Sequence, residues 1–150
     1  MAGSAVRLKL RRYETMTHNA AQDIMIILKR KYNQIEQIYS YTLDMEKSAS
    51  QNDSDTINML LGMRYSIMAD VESLDAEISA EIQSLADSDR IRVRAQMSEN
   101  PISSYVSFEE SKINDIWLSI RAVLKKIIES DEKLKLKIEA LSKLSSMDSI

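Results

Sequence analysis

The segment NAAQDIMIILKRKYNQIEQIYSYTLDMEKSA, residues 19–49, decides the fold. Ala21, Ile24, Leu28, Ile35, Ile38, Met45 and Ala49, with Lys31 and Thr42 between them, form a ladder whose steps alternate between three and four residues. That spacing keeps one face of a helix apolar over four heptads. Asn19 is a favourable N-cap and Gln22 stands at the capping-box distance from it, which predicts a helix start at Asn19.

Beyond this segment, Ser50-Gln-Asn-Asp-Ser54 interrupts the pattern with residues whose short side chains bond the local backbone. So short a connector between long helices predicts an antiparallel hairpin, with Asp53 or Ser54 capping the second helix. The second seam runs Ile57, Leu60, Arg64, Ile67, Val71, Leu74, Ile78, Glu81, Leu85, and is expected to fray from Leu85 to Arg94, where charges crowd it. Pro101 disfavours helix at Asn100, and the linker continues to Val106. Ser107, with Glu110 three residues on, predicts the start of a third helix. Its seam is Ile113, Ile116, Ile120, Val123, Ile127, Ser130, Leu134, Lys137, Leu141, Leu144. Met25, Tyr32 and Tyr39, then Leu61, Met68 and Ile82, then Trp117, Leu124 and Ile138 widen the three stripes, as helices with two neighbours each require.

The expected fold is therefore all-α: a long antiparallel helical hairpin plus a third long helix, in a three-helix bundle or coiled-coil-like arrangement. The expected helices cover about 19–49, 55–94 and 107–145, within one helical domain over 17–150. Residues 1–16 are expected to form a flexible basic N-terminal arm, because Arg7, Lys9, Arg11 and Arg12 against Glu14 give residues 1–15 a charge of +3.

Composition agrees. In 150 residues there are 2 glycines and 1 proline, too few for the turns of a sandwich, a small barrel or a phosphate-binding α/β sheet. The absence of cysteine excludes disulfides, thiolate metal sites and cysteine nucleophiles. A net charge of −3 gives no reason to expect a nucleic-acid partner, and the aliphatic run Ile24 to Leu28 is far too short to span a bilayer. No secretory signal is evident, so a cytoplasmic protein without membrane insertion is expected.

Candidate chemistry is sparse. His18 has no nucleophile or ligand beside it in sequence, and its place at the expected helix start argues against a phosphorylatable histidine on a bundle face. Counted as a calcium loop from Asp53, the sixth and twelfth positions hold Asn58 and Arg64 instead of glycine and glutamate. No Glu-x-x-His pair is present for a di-iron bundle, and Gly62 has no phosphate loop around it. The chain is thus expected not to be an enzyme and to take no cofactor or metal. Arg90, Arg92, Arg94, Lys125 and Lys126 are interleaved with acids, as on a solvated surface. Lys31, Arg64 and Glu81 read as register-setting breaks in apolar seams. Asp131, in the stripe between Leu124 and Ile138, must face solvent or meet a polar partner.

The stretch from Asn52 to Ile78 resembles the central segment of the FlgN-type flagellar export chaperones: an aspartate in the turn, leucines near a basic residue, then an Ile/Leu-Asp run. The residues carrying the likeness are Asp53, Ile57, Leu60, Leu61, Arg64, Ile67, Leu74 and Asp75. The resemblance implies a small acidic cytoplasmic chaperone of the flagellar type III secretion system. Such a protein binds a C-terminal amphipathic helix of late export subunits, chiefly hook–filament junction proteins, and delivers them to the export apparatus. Family analogy and helix geometry together point to Ile116, Trp117, Ile120, Leu124, Ile127 and Ile128 as client contacts. A monomer or weak homodimer is implied. The competing reading is a structural coiled-coil oligomerisation or tether module without a client, for which all three stripes would be buried in a tight oligomer.

Overall fold

The computed structural model describes the backbone of residues 2–100 and 107–148, and the side chains of 19–100 and 107–144. The described residues form four helices and no strand: α1 (Ala2–Ser50), α2 (Ser54–Gln83), α3 (Asp87–Gln96) and α4 (Phe108–Asp148). The all-α class and the packing of long helices are as the periodicity predicts.

The seam of α1 was legible almost position by position. Ala21, Ile24, Leu28, Ile35, Ile38, Thr42, Met45 and Ala49 are all buried, and Lys31 alone is only half-buried. The helix, however, begins at Ala2 rather than Asn19. Asn19 and Gln22 make a possible cap, but a capping pair does not stop a helix when the preceding residues are themselves good helix formers. Between Ala5 and Arg12 the chain reads Ala, Val, Arg, Leu, Lys, Leu, Arg, Arg, with neither glycine nor proline. His18 accordingly lies within the backbone of α1, and the objection that it sits at a helix start falls away.

The hairpin turn is tighter than the expected five residues. Asn52 adopts a left-handed conformation, φ 56°. The Asp53 N–H donates to the Ser48 carbonyl (2.9 Å) and the Asn52 N–H to that of Ala49 (3.2 Å), which is the Schellman pattern that satisfies the last carbonyls of α1. Asp53 then caps α2: its carboxylate accepts from the Thr56 N–H (3.1 Å) and the Thr56 hydroxyl (2.6 Å).

What was expected as one helix over 55–94 is two. α2 stops at Gln83, and α3 starts at Asp87 with Asp87 and Asp89 in its first turn and Arg94 in its last, matching the helix dipole. Val93 and Gln96 of α3 are buried, so the stretch expected to fray is docked. Residues 101–106 of the expected linker lie outside the described residues.

The segment 17–150, expected as one domain, contributes to two compact units. The first comprises Met1–Lys31 with Leu74–Ser119, the second Tyr32–Ser73 with Ile120–Ile150. In the first unit α3 is fastened to the start of α4. Ser107 caps α4 by accepting from the Glu110 N–H (3.1 Å), as predicted. The reciprocal half of the capping box is not made, because the buried Glu110 carboxylate turns to Arg92 instead, at 2.7 Å but outside hydrogen-bonding alignment. The Asn114 amide donates to the Gln96 carbonyl (2.7 Å) and the Ser98 carbonyl (3.3 Å), securing the end of α3. Lys31 pairs with Asp75 at 2.6 Å. With Arg90 near Asp87 (3.4 Å) and Arg92 on Glu110, two members of the basic run are committed inside this unit.

In the second unit, Met45, Ala49, Ile57, Leu60 and Leu134 form a buried cluster with Tyr41, Leu61 and Leu141 packed against it. α4 here runs parallel to α1 and antiparallel to α2. Moving along α4 from Asp131 to Lys137, the polar neighbour on α1 advances from Thr42 to Ser50. No helix among the described residues is long and apolar enough to cross a membrane.

Candidate docking groove

The second unit holds a polar junction at its centre. Arg64 projects from the seam of α2, and its two terminal nitrogens meet the two carboxylate oxygens of Asp131 on α4 at 2.6 and 2.7 Å. The same guanidinium donates to the Thr42 hydroxyl of α1 (3.2 Å), which itself donates to the Ile38 carbonyl (2.7 Å). One residue from each of α1, α2 and α4 is therefore tied into a single network. A bidentate Arg–carboxylate pair is geometrically demanding and fixes how far α2 can slide along α4. The hydrogen bond that Arg64 donates to Asp131 raises the pKa of Arg64 above its ordinary value, against the opposing effect of burial, so Arg64 carries a fixed charge. The pair is a strut between α2 and α4. Asp131 thus meets a polar group of its own chain, where either solvent or a separate partner was open from sequence.

On the solvent side of this strut lies a groove of about 380 Å³ between α2 and α4. Leu61 and Leu134 form its floor, joined to the buried cluster. Tyr65 and Met68 of α2 face Ile138 of α4 across it. These three walls are 67%, 39% and 38% exposed, so an apolar trough stays open to water. Met68 and Ile138 are two of the stripe-widening positions, and among the described residues of this unit no neighbouring helix covers them. Lys135 and Glu139, one turn apart on α4, line the same groove.

The hairpin residues read from the sequence divide by role. Asp53 caps, Ile57 and Leu60 are core, Leu61 is groove floor, Arg64 is the strut, and Ile67 is half-buried. In the first unit, Leu74 is half-buried and Asp75 holds Lys31. The six residues expected as client contacts on α4 lie in different environments. Ile120 and Ile127 are 3% and 6% exposed and serve the chain's own core, because seam positions of a folded bundle are consumed by intramolecular packing. Leu124 is half-buried and Ile128 is exposed; Ile116 and Trp117, in the first unit, are half-buried. None of these six lines the groove. Tyr65, Lys135 and Glu139, which do, carried no signal in the seam reading.

Among the described residues no group of three or more His, Asp or Glu is placed to hold a metal ion. No family model matches the chain, and comparisons with curated proteins and with solved structures likewise give no match.

Proposed function

We propose that this chain is a cytoplasmic flagellar export chaperone. In this reading it shields a C-terminal amphipathic helix of late export subunits, chiefly hook–filament junction proteins, and hands them to the export apparatus. The observation that carries the reading is the open apolar groove between α2 and α4, whose size and lining suit one face of a helix. The resemblance of residues 52–78 to the FlgN-type chaperones supports it from the sequence side. Burial of Tyr65, Met68 and Ile138 against a client would remove the most exposed apolar surface of the second unit's groove, which is the driving force for docking.

Calorimetric titration with C-terminal segments of hook–filament junction subunits tests the proposal. Saturable binding that Met68→Glu and Ile138→Glu abolish is the expected result. Both side chains are partly exposed, so a glutamate there leaves the core intact. No binding to any late flagellar subunit, together with a tight oligomer by sedimentation, would instead favour a structural coiled-coil module.

A further inference from the structure

The outward face of α2 in the second unit is bare. Asp55, Met59, Met63, Ser66 and Asp70 follow one another at steps of three or four residues, so they share one stripe of the helix. All five are exposed, Met59 and Met63 by 58% and 41%. A Cβ built on the neighbouring Gly62 meets no atom within 4 Å, so nothing among the described residues covers the helix there. By helical spacing the stripe stands opposite Leu61 and Met68, and so away from the α2–α4 groove. Its two methionines sit between two carboxylates. α2 as a whole carries Asp55, Asp70, Glu72, Asp75, Glu77 and Glu81 against the single base Arg64, which is spent on Asp131. Neither Asp55 nor Asp70 makes an ion pair among the described residues. A second α2 laid on this face would set carboxylate against carboxylate, which disfavours pairing. Methionines framed by acids instead suit a basic amphipathic helix.

The chain itself carries such a helix. At the start of α1, Val6, Leu10 and Tyr13 recur at i, i+4, i+7, and Arg7, Lys9, Arg11 and Arg12 are interleaved with them. The backbone places this segment past the end of its hairpin partner. Lys31 pairs with Asp75, and α2 continues only from Asp75 to Gln83, about 12 Å, which reaches the level of about residue 23 of α1. α3 is fastened to the start of α4 through Glu110 and Asn114. Because α1 is one uninterrupted helix from Ala2 to Ser50, its first turns cannot fold back onto their own α2. A helix of this length draws most of its stability from packing an apolar face, so a surface outside its own hairpin is required.

We propose that the chain pairs with a second copy of itself, the basic first turns of α1 in each copy lying on the Met59–Met63 face of α2 in the other. The apolar stripe of residues 6–13 covers the two methionines, and the bases of residues 7–12 meet the acids that flank them. The α2–α4 groove stays open in this arrangement, so the contact goes beyond the chaperone reading and does not depend on it.

Sedimentation of the full chain over a concentration series tests this. The arm variant is Arg7→Glu/Arg11→Glu/Arg12→Glu and the face variant is Asp55→Lys/Asp70→Lys; circular dichroism melts check that each stays folded. The wild-type chain is expected to dimerise, more weakly as salt is raised. Each variant alone is expected to dimerise about tenfold more weakly or worse, because its arm and face then carry charge of one sign. An equimolar mixture of the two is expected to recover the dimer, since acidic arms then meet basic faces and basic arms meet acidic ones. Lys125→Glu/Lys126→Glu, at exposed positions of α4, is expected to leave dimerisation unchanged, which separates a local contact from an effect of net charge. A monomeric wild-type chain, a dimer that both variants leave intact, or a mixture that fails to recover it overturns the inference. A monomeric wild-type chain that binds phosphatidylserine vesicles through the arm overturns it too, and assigns residues 7–12 to a lipid surface.

Discussion

Arg64 and Asp131 are 67 residues apart in sequence and meet end-on, two nitrogens to two oxygens. The pair is only partly shielded, with side-chain exposures of 16% and 37%. Losing one partner strands the other against an apolar floor. Arg64→Met or Asp131→Leu alone is expected to cost about 1–3 kcal/mol, and the double variant clearly less than the sum, since replacing both charges removes the stranded group. Urea denaturation of the four-member cycle measures this. Thr42→Val is expected to cost about 1 kcal/mol by the same assay, because Arg64 keeps its carboxylate when the hydroxyl is gone.

The cap on α2 predicts an acid dependence. Hydrogen bonds from the Thr56 hydroxyl and, second, the Thr56 N–H hold Asp53 below its ordinary carboxylate pKa. A depressed folded-state value contributes stability above the unfolded pKa, about 4, and loses it as pH falls through the lower folded value. Asp53→Asn should keep most of the cap at neutral pH and lose this part of the acid dependence. Asp53→Ala should lose the cap at every pH. Thermal melts across the acidic range distinguish the three chains.

Asn52 is the left-handed residue of the hairpin turn. Asn52→Gly is expected to be neutral or mildly stabilising, because it removes the Cβ that crowds the following carbonyl, and Asn52→Ala to destabilise by about 1 kcal/mol, because alanine keeps that Cβ and loses the amide whose local hydrogen bonding lets asparagine tolerate this conformation. Equilibrium unfolding of the two variants checks the order.

α3, at 10 residues, is too short to hold its shape without tertiary contacts. Asn114→Ala removes the donor to two carbonyls at its end. The expected result is faster amide exchange across α3, with protection of the α1–α2 turn region unchanged. Equal acceleration in both places would show that Asn114 acts on global stability instead.

How far the sequence could be read depended on what kind of information each feature needs. The α1 seam was legible because burial follows a period, and a period is local. The lower seam of α2 was less so: Ile67, Val71 and Leu74 are apolar at the right spacing yet only half-buried. The break before α3 has a sequence signal, acids at Asp87 and Asp89 followed by basic residues to Arg94, the polarity of a helix that starts anew. Arg64 and Asp131 were each conspicuous as charges in apolar stripes. Their pairing was not legible, because it depends on the register of α2 against α4. The groove was missed for a related reason. Seam positions are those the bundle buries within itself, whereas the groove is lined from the shoulder beside the seam, where Tyr65 and Lys135 look like ordinary exposed residues.

Exposure also sorts the methionines by chemical vulnerability. Met45 is fully enclosed, whereas Met59, Met63 and Met68 are 58%, 41% and 39% exposed. Peroxide reaches exposed thioethers first, and a sulfoxide turns a soft apolar side chain into a polar one. Since Met68 is a wall of the groove, mild oxidation would wet that wall while leaving the Met45 packing intact, so the groove's affinity for apolar surface is tied to the redox state around it.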